Sequence, residues 1–149
     1  MSRGSRSALV FLTGFAISCA FAFAALMYHS ETTIPIPVPG QKTSLAKLEY
    51  RARFLAAVDA VTLELASSDG ADPVIVEWTF VGSNTDGQVH RVSIALRLLD
   101  EAGSQIGVYA GRGILSAGAK DQRFSVSMKV KPDVWKAAKK VRIFADWMS

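Results

Sequence analysis

The stretch VIVEWTF, residues 74–80, puts Val74, Val76, Trp78 and Phe80 at every second position, with Glu77 and Thr79 between the larger ones. A period of two sends alternate side chains to opposite faces of an extended strand. One face here carries two large aromatic rings and must be covered, so the strand needs a second layer. The same period recurs on both sides of it. It runs through Val61-Leu63-Leu65, His90-Val92-Ile94-Leu96-Leu98 and Ile106-Val108-Ala110. It returns in Phe124-Val126-Met128-Val130 and Val141-Ile143-Ala145-Trp147.

The segments between these runs are rich in turn formers: SSDGAD (67–72), SNTDG (83–87), DEAGS (100–104) and SAGAKD (116–121). KPDVWKAAKK (131–140) instead predicts one or two helical turns opened by Pro132 and Asp133. Short amphipathic strands at hairpin spacing predict a mainly β fold, an antiparallel β-sandwich of immunoglobulin type with six to seven strands. Its core would be built on Trp78, Phe80, Phe124 and Trp147. The single cysteine, Cys19, excludes an intrachain disulfide. Before the first run, Leu45, Leu48, Ala52, Leu55 and Ala56 follow helical spacing behind Ser44, which predicts a short helix over 45–57.

Residues 8–28 form an uncharged apolar run of 21 residues. As a helix it would reach about 31 Å, the thickness of a bilayer's hydrocarbon core. Arg3 and Arg6 precede it and Glu31 follows, so the charge bias leaves 1–7 as a cytoplasmic tip and sends 44–149 outward. The expected location is the inner (cytoplasmic) membrane, single-pass, with the C-terminal domain extracytoplasmic. Two rival fates exist for the same run. Ala22-Phe23-Ala24 allows signal cleavage before Ala25, and AISC allows lipidation of Cys19. Residues 29–43 contain Pro35, Pro37 and Pro39 and are expected to be an extended spacer that lifts the domain from the lipid.

LRLLDEAGSQIG, residues 96–107, resembles the strand–turn–strand of the small bacterial sandwich domains called FxLYD. Leu98 and Asp100 match that motif, while Leu96 and Leu99 stand where it has Phe and Tyr. The strand order is also similar to that of water-stress and hypersensitive-response sandwich domains. The resemblance covers residues 59–147 and implies an extracytoplasmic, immunoglobulin-like, non-catalytic module. It carries over no functional residues.

Candidates for chemistry are few. His29 lies at the boundary of the apolar run, and His90 sits on a strand among apolar neighbours, as packing histidines do. No His/Cys/carboxylate set has metal-ligand spacing, and the Asp100–Glu101 turn lacks the ligand series of a calcium loop. GVYAGRG (107–113) has no Walker lysine and reads as a close-packed strand. No enzyme activity, metal or cofactor is expected.

Charge is the stronger signal. Arg3 and Arg6 aside, 15 of the 17 basic residues face all 13 acidic ones, so the exported part is nearly neutral. Residues 120–142 are the exception, with eight cations against Asp121 and Asp133. Lys129, Lys131, Lys136, Lys139, Lys140 and Arg142 are the expected interaction face, provided that the last two strands are neighbours. Its partner would be an envelope protein or anionic lipid headgroups. Nucleic acid is excluded by export and by the lack of an aromatic platform. The expected function is a membrane-anchored binding or scaffolding module, an accessory subunit of an envelope assembly. The alternative is a cleaved or lipidated periplasmic binding protein for a small ligand or glycan.

Overall fold

The computed structural model describes residues 28–46, 48–50 and 56–148. The anchor, the cleavage site and the lipidation site expected in the N-terminal run fall outside these residues, apart from Tyr28. No helix among the described residues is long and apolar enough to cross a membrane.

All six alternating runs are strands, and three more precede them. They are β1 (Tyr28–Pro35), β2 (Lys42–Ser44), β3 (Glu49–Tyr50), β4 (Ala56–Leu65) and β5 (Val74–Asn84). β6 (His90–Leu99), β7 (Gln105–Leu115), β8 (Gln122–Val130) and β9 (Lys140–Met148) complete the set. The one helix among the described residues, α1 (Pro132–Ala137), joins β8 to β9 and begins at the proline expected to open it. Sheet A has the order β1-β9-β6-β7. Sheet B has the order β2-β4-β5-β8, with β3 beside β2 on the same edge of β4. All pairings are antiparallel.

The core lies between the sheets and follows the alternation except on β7, where Val108 and Ala110 of the expected apolar face turn outward and the glycine-bearing face packs on β8. Val76, Trp78 and Phe80 from β5 meet Ile94, Leu96 and Leu98 from β6, and Ile143, Ala145 and Trp147 from β9, all at most 1% exposed. Phe124 is half-buried and stacks on Phe80 with ring centroids 5.3 Å apart. The Trp147 indole N–H donates to Ser30 Oγ at 3.1 Å, which ties β1 into the interior. On one flank β7 lies close over β8. A Cβ at Gly111 would run into Val126, and one at Gly113 into the Phe124 ring. That close approach explains Gly111 and Gly113 of GVYAGRG.

Two expectations need correction. The helix over 45–57 is absent from the described part of that range. Glu49–Tyr50 and the residues from Ala56 onward are strand, with Leu48 and Tyr50 buried two positions apart. The Tyr50 ring packs on His90 and Trp147, a sheet contact that outweighs local helical spacing.

The spacer over 29–43 is likewise mostly built into the sandwich. β1 pairs with β9 from Tyr28↔Trp147 to Pro35↔Lys140. The parity of the prolines shows why they permit this. Ile36 N–H donates to the Lys139 carbonyl at 3.0 Å, so even-numbered residues face β9. Pro35 and Pro37 then lack their N–H on the outer edge, where no ladder bond is lost and a free edge is blunted. The sandwich therefore includes Tyr28–Pro35 and does not begin at residue 44.

Candidate interaction face on sheet A

The six basic residues singled out from the sequence do not share a face. β8 lies in sheet B and β9 in sheet A, so the two strands are not neighbours. Lys129 is paired with Ile75 on the outer side of sheet B. Arg142 is paired with Arg97 and Thr33 on the outer side of sheet A. Lys131, Lys136, Lys139 and Lys140 gather around α1 at one end of the sandwich, where Lys139 Nζ donates to the Lys136 carbonyl at 3.4 Å.

A different basic set does converge. Strand register lays the outer face of sheet A out in rows. Met148, Arg91 and Ile114 form the first; His29, Asp146, Ser93 and Arg112 the second. The third is Glu31, Phe144, Ala95 and Ala110; the fourth is Thr33, Arg142, Arg97 and Val108. Arg91, Arg97, Arg112, Arg142 and Lys140 are all exposed.

Phe144 is the centre of this face. It points away from the core yet is half-buried, because the Arg97 guanidinium lies 4.3 Å from its centroid and the His29 ring 5.4 Å away. The cation is held by the negative face of the ring. His29 Nδ1 hydrogen-bonds Asp146 Oδ1 at 2.8 Å, and its Nε2 lies 3.5 Å from Glu31 Oε2. The bond to Asp146 raises the His29 pKa above its ordinary 6.5, with Glu31 adding to the effect and partial burial opposing it. The two carboxylates of the face are thus turned to His29. Arg97 and Arg142 stand directly opposite each other on paired strands. Among the described residues neither has a carboxylate at ion-pair distance. Arg142 Nε donates only to Thr33 Oγ1, at 3.3 Å. Like charges placed opposite each other cost stability.

Arg91, Arg97 and Arg112 lie outside residues 120–142, where the sequence concentrates its positive charge. The outward parity of Arg91 and Arg97 on β6 is legible in the sequence; that of Arg112 is not, because Arg112 shares its parity with Ile106, Val108 and Ala110. That β9 inserts between β6 and β1, and so brings Arg142 to Arg97, is not legible either.

His90 sits elsewhere. It is 1% exposed, its Nε2 bonds Asp86 Oδ2 at 2.8 Å, and its ring lies 4.5 Å from Tyr50. That is the environment of a packing residue. Among the described residues no three His, Cys, Asp or Glu side chains gather where they could hold a metal ion.

No protein-family model matches the chain, and comparison with curated proteins finds no relative. Among solved structures, the enzymatically active domain of bacteriophage CBA120 tailspike protein 4 aligns with 83% of the chain at 13% identity. The chain spans 17% of that structure, and the TM-score is 0.25. A likeness this low carries no argument about fold or activity.

Proposed function

We propose that this chain is a membrane-anchored, extracytoplasmic, non-catalytic binding module, an accessory subunit of an envelope assembly, and that it meets an acidic partner protein through the outer face of sheet A. The observation that carries the reading is the opposed pair Arg97–Arg142 beside Phe144. Two cations without a carboxylate partner, held across adjacent strands, repel each other, and the contacts of Arg97 with Phe144 and of Arg142 with Thr33 leave that charge unneutralised. Next to a half-buried aromatic ring they form the kind of anchor that interfaces use. An acidic partner would relieve the repulsion.

The sandwich itself supports an immunoglobulin-like assignment. β4-β5-β8 take the places of strands A, B and E, and β7-β6-β9 those of C′, C and F. The place of strand G, beside F, is filled by β1 from the opposite end of the sequence. The FxLYD resemblance falls on the β6–β7 hairpin and favours the same extracytoplasmic class.

Membranes carrying the full chain supply the test. Wild type and an Arg97→Glu/Arg142→Glu variant are extracted in detergent and compared for the protein they retain. The retained partner's affinity should fall about tenfold in the variant, and the wild-type complex should weaken with salt. Equal, salt-insensitive retention by both would refute the assignment. Intact mass of the extracted chain decides the anchor, since a start at Ala25 or a lipid on Cys19 contradicts it.

One observation favours the second reading, a periplasmic binding protein for a small ligand or glycan. An open groove of about 390 Å³ lies between the 67–71 loop and α1, with Trp135, Lys136 and Asp69 in its lining. Sugar-dependent quenching of Trp135 fluorescence, lost in Trp135→Phe, would support that reading.

A further inference from the structure

Tyr28 is both the last residue of the uncharged run and the first residue of β1. In sequence, the expected anchor thus runs directly into β1. On the anchor reading proposed above, on which this inference rests, the end of sheet A that carries Tyr28 therefore lies at the bilayer surface.

The side chains at that end suit such a surface. Tyr28, Val89 and Ile114 are 38%, 52% and 50% exposed, three of the larger apolar side chains that the described residues leave to solvent. Tyr28 is paired with Trp147, Met148 with Arg91, and Arg91 with Ile114, so these residues span one end of the four-stranded sheet. With strands about 4.8 Å apart, Ile114 lies only about 14 Å from the tether.

Between them runs an open groove of about 250 Å³, lined by Arg91, Ser93, Arg112, Ile114 and Met148 together with the β6 and β7 backbone at Val92 and Gly113. Its lining holds two guanidinium groups, one hydroxyl and no carboxylate. Arg91 and Arg112 stand on adjacent strands one row apart, with Ser93 opposite Arg112. Of the carboxylates near the groove, Asp146 stands opposite Ser93 and is engaged by His29, and Asp86 is engaged by His90.

We infer that this groove binds the phosphate of an anionic phospholipid in the membrane that anchors the chain. Arg91 and Arg112 donate to the phosphate oxygens, with the Ser93 hydroxyl between them. Val89, Ile114 and Tyr28 enter the headgroup layer, where a tyrosine is at home. The domain is thereby fixed upright on its own membrane. The lysines around α1 lie at the opposite end, about 26 Å away along eight residues of strand. That is well beyond the roughly 10 Å over which salt screens a charge at 0.1 M. The lipid contact accordingly belongs to the arginine groove and not to the lysine cluster.

The test uses the full chain in a Cys19→Ser background, reconstituted into phosphatidylcholine vesicles with or without phosphatidylglycerol. A bimane label is placed at Ile114→Cys, and separately at Ala102→Cys in the β6–β7 turn of the far end. Nitroxide-bearing lipid headgroups are the quencher. Position 114 should be quenched, more strongly with phosphatidylglycerol present, and position 102 should not. Arg91→Gln and Arg112→Gln should each lower the docked fraction about fivefold in the anionic vesicles. Thermal melts of the variants confirm that the fold is kept. A chain that floats with vesicles while position 114 stays as unquenched as 102 overturns the inference and leaves the anchor standing. Quenching that ignores both phosphatidylglycerol and the arginines overturns the phosphate assignment. A chain that does not float with vesicles overturns the anchor reading and this inference with it.

Discussion

From β9 to β7 the outer rows of sheet A read Asp146–Ser93–Arg112, Phe144–Ala95–Ala110 and Arg142–Arg97–Val108. Across β4, β5 and β8 the outer rows of sheet B read Thr62–Thr79–Ser125 and Glu64–Glu77–Ser127. Each sheet holds one directly opposed like-charge pair, of opposite sign. Around the arginines of sheet A the remaining carboxylates are turned to His29, and an aromatic ring fills the centre. Around the glutamates of sheet B, Lys42 and Arg123 line the same hollow as Glu64, and Thr79 and Ser125 satisfy each other at 3.2 Å. The repulsion in sheet B is therefore diluted by cations within the domain, whereas the arginines of sheet A have no carboxylate at ion-pair distance among the described residues.

The largest expected effect ignores that difference, because both faces rest on one core. Trp78 is fully buried on β5 between the sheets. Trp78→Ala should cost about 3–5 kcal/mol and lower the unfolding midpoint of both sheets together. Denaturant melts followed by far-ultraviolet circular dichroism and by Trp147 fluorescence should stay coincident. Separate transitions would mean that the sheets are independent units.

How much of this was legible follows from what period two can and cannot say. It assigned inside and outside correctly for five of the six long strands, because burying one face of a strand needs no knowledge of its neighbours. Trp78, Phe80 and Trp147 are core residues for that reason. On β7 period two failed: Val108 and Ala110 face out, while Tyr109, Gly111 and Gly113 face inward, the two glycines against β8. Strand order is a non-local property, and it decides the site. Lys129 and Arg142 both have outward parity, yet they leave the molecule on opposite sides because β8 and β9 pair in different sheets. Prolines at alternate positions suit an extended rod and an edge strand equally. Only the pairing of β1 with β9 separates the two. Leu48 fits the helical spacing of its segment and equally the strand spacing it shares with Tyr50, and the contacts of Tyr50 to His90 and Trp147 settle the matter.

Smaller effects bear on the two charge pairs. Arg142→Gln and Glu77→Gln each remove one member of a like-charge pair, the first leaving the Arg97–Phe144 contact in place, and each should raise stability by about 0.2–1 kcal/mol in thermal melts. Only Arg142→Gln should weaken partner binding in a titration. Equal loss from both would place the contact on both faces.

The smallest effect is that of pH on His29. Its folded pKa is raised, chiefly by the hydrogen bond to Asp146. The stability it contributes is complete below the unfolded value of about 6.5 and is lost as pH rises through the folded value. The difference in Tm between wild type and His29→Gln should be greatest in mildly acidic buffer and close in alkaline buffer. A difference that grows with pH would contradict the bond as drawn.

The central claim, that sheet A and not sheet B meets the partner, is tested most directly by site-specific photocrosslinking in the native membrane. One crosslinking side chain replaces Ala110, exposed in the Phe144 row of sheet A, and in a second variant another replaces Ser127, exposed beside Glu77 in sheet B. The account predicts a discrete crosslinked protein from position 110 and none from position 127. A crosslink confined to position 127, or one of equal strength from both, would contradict it.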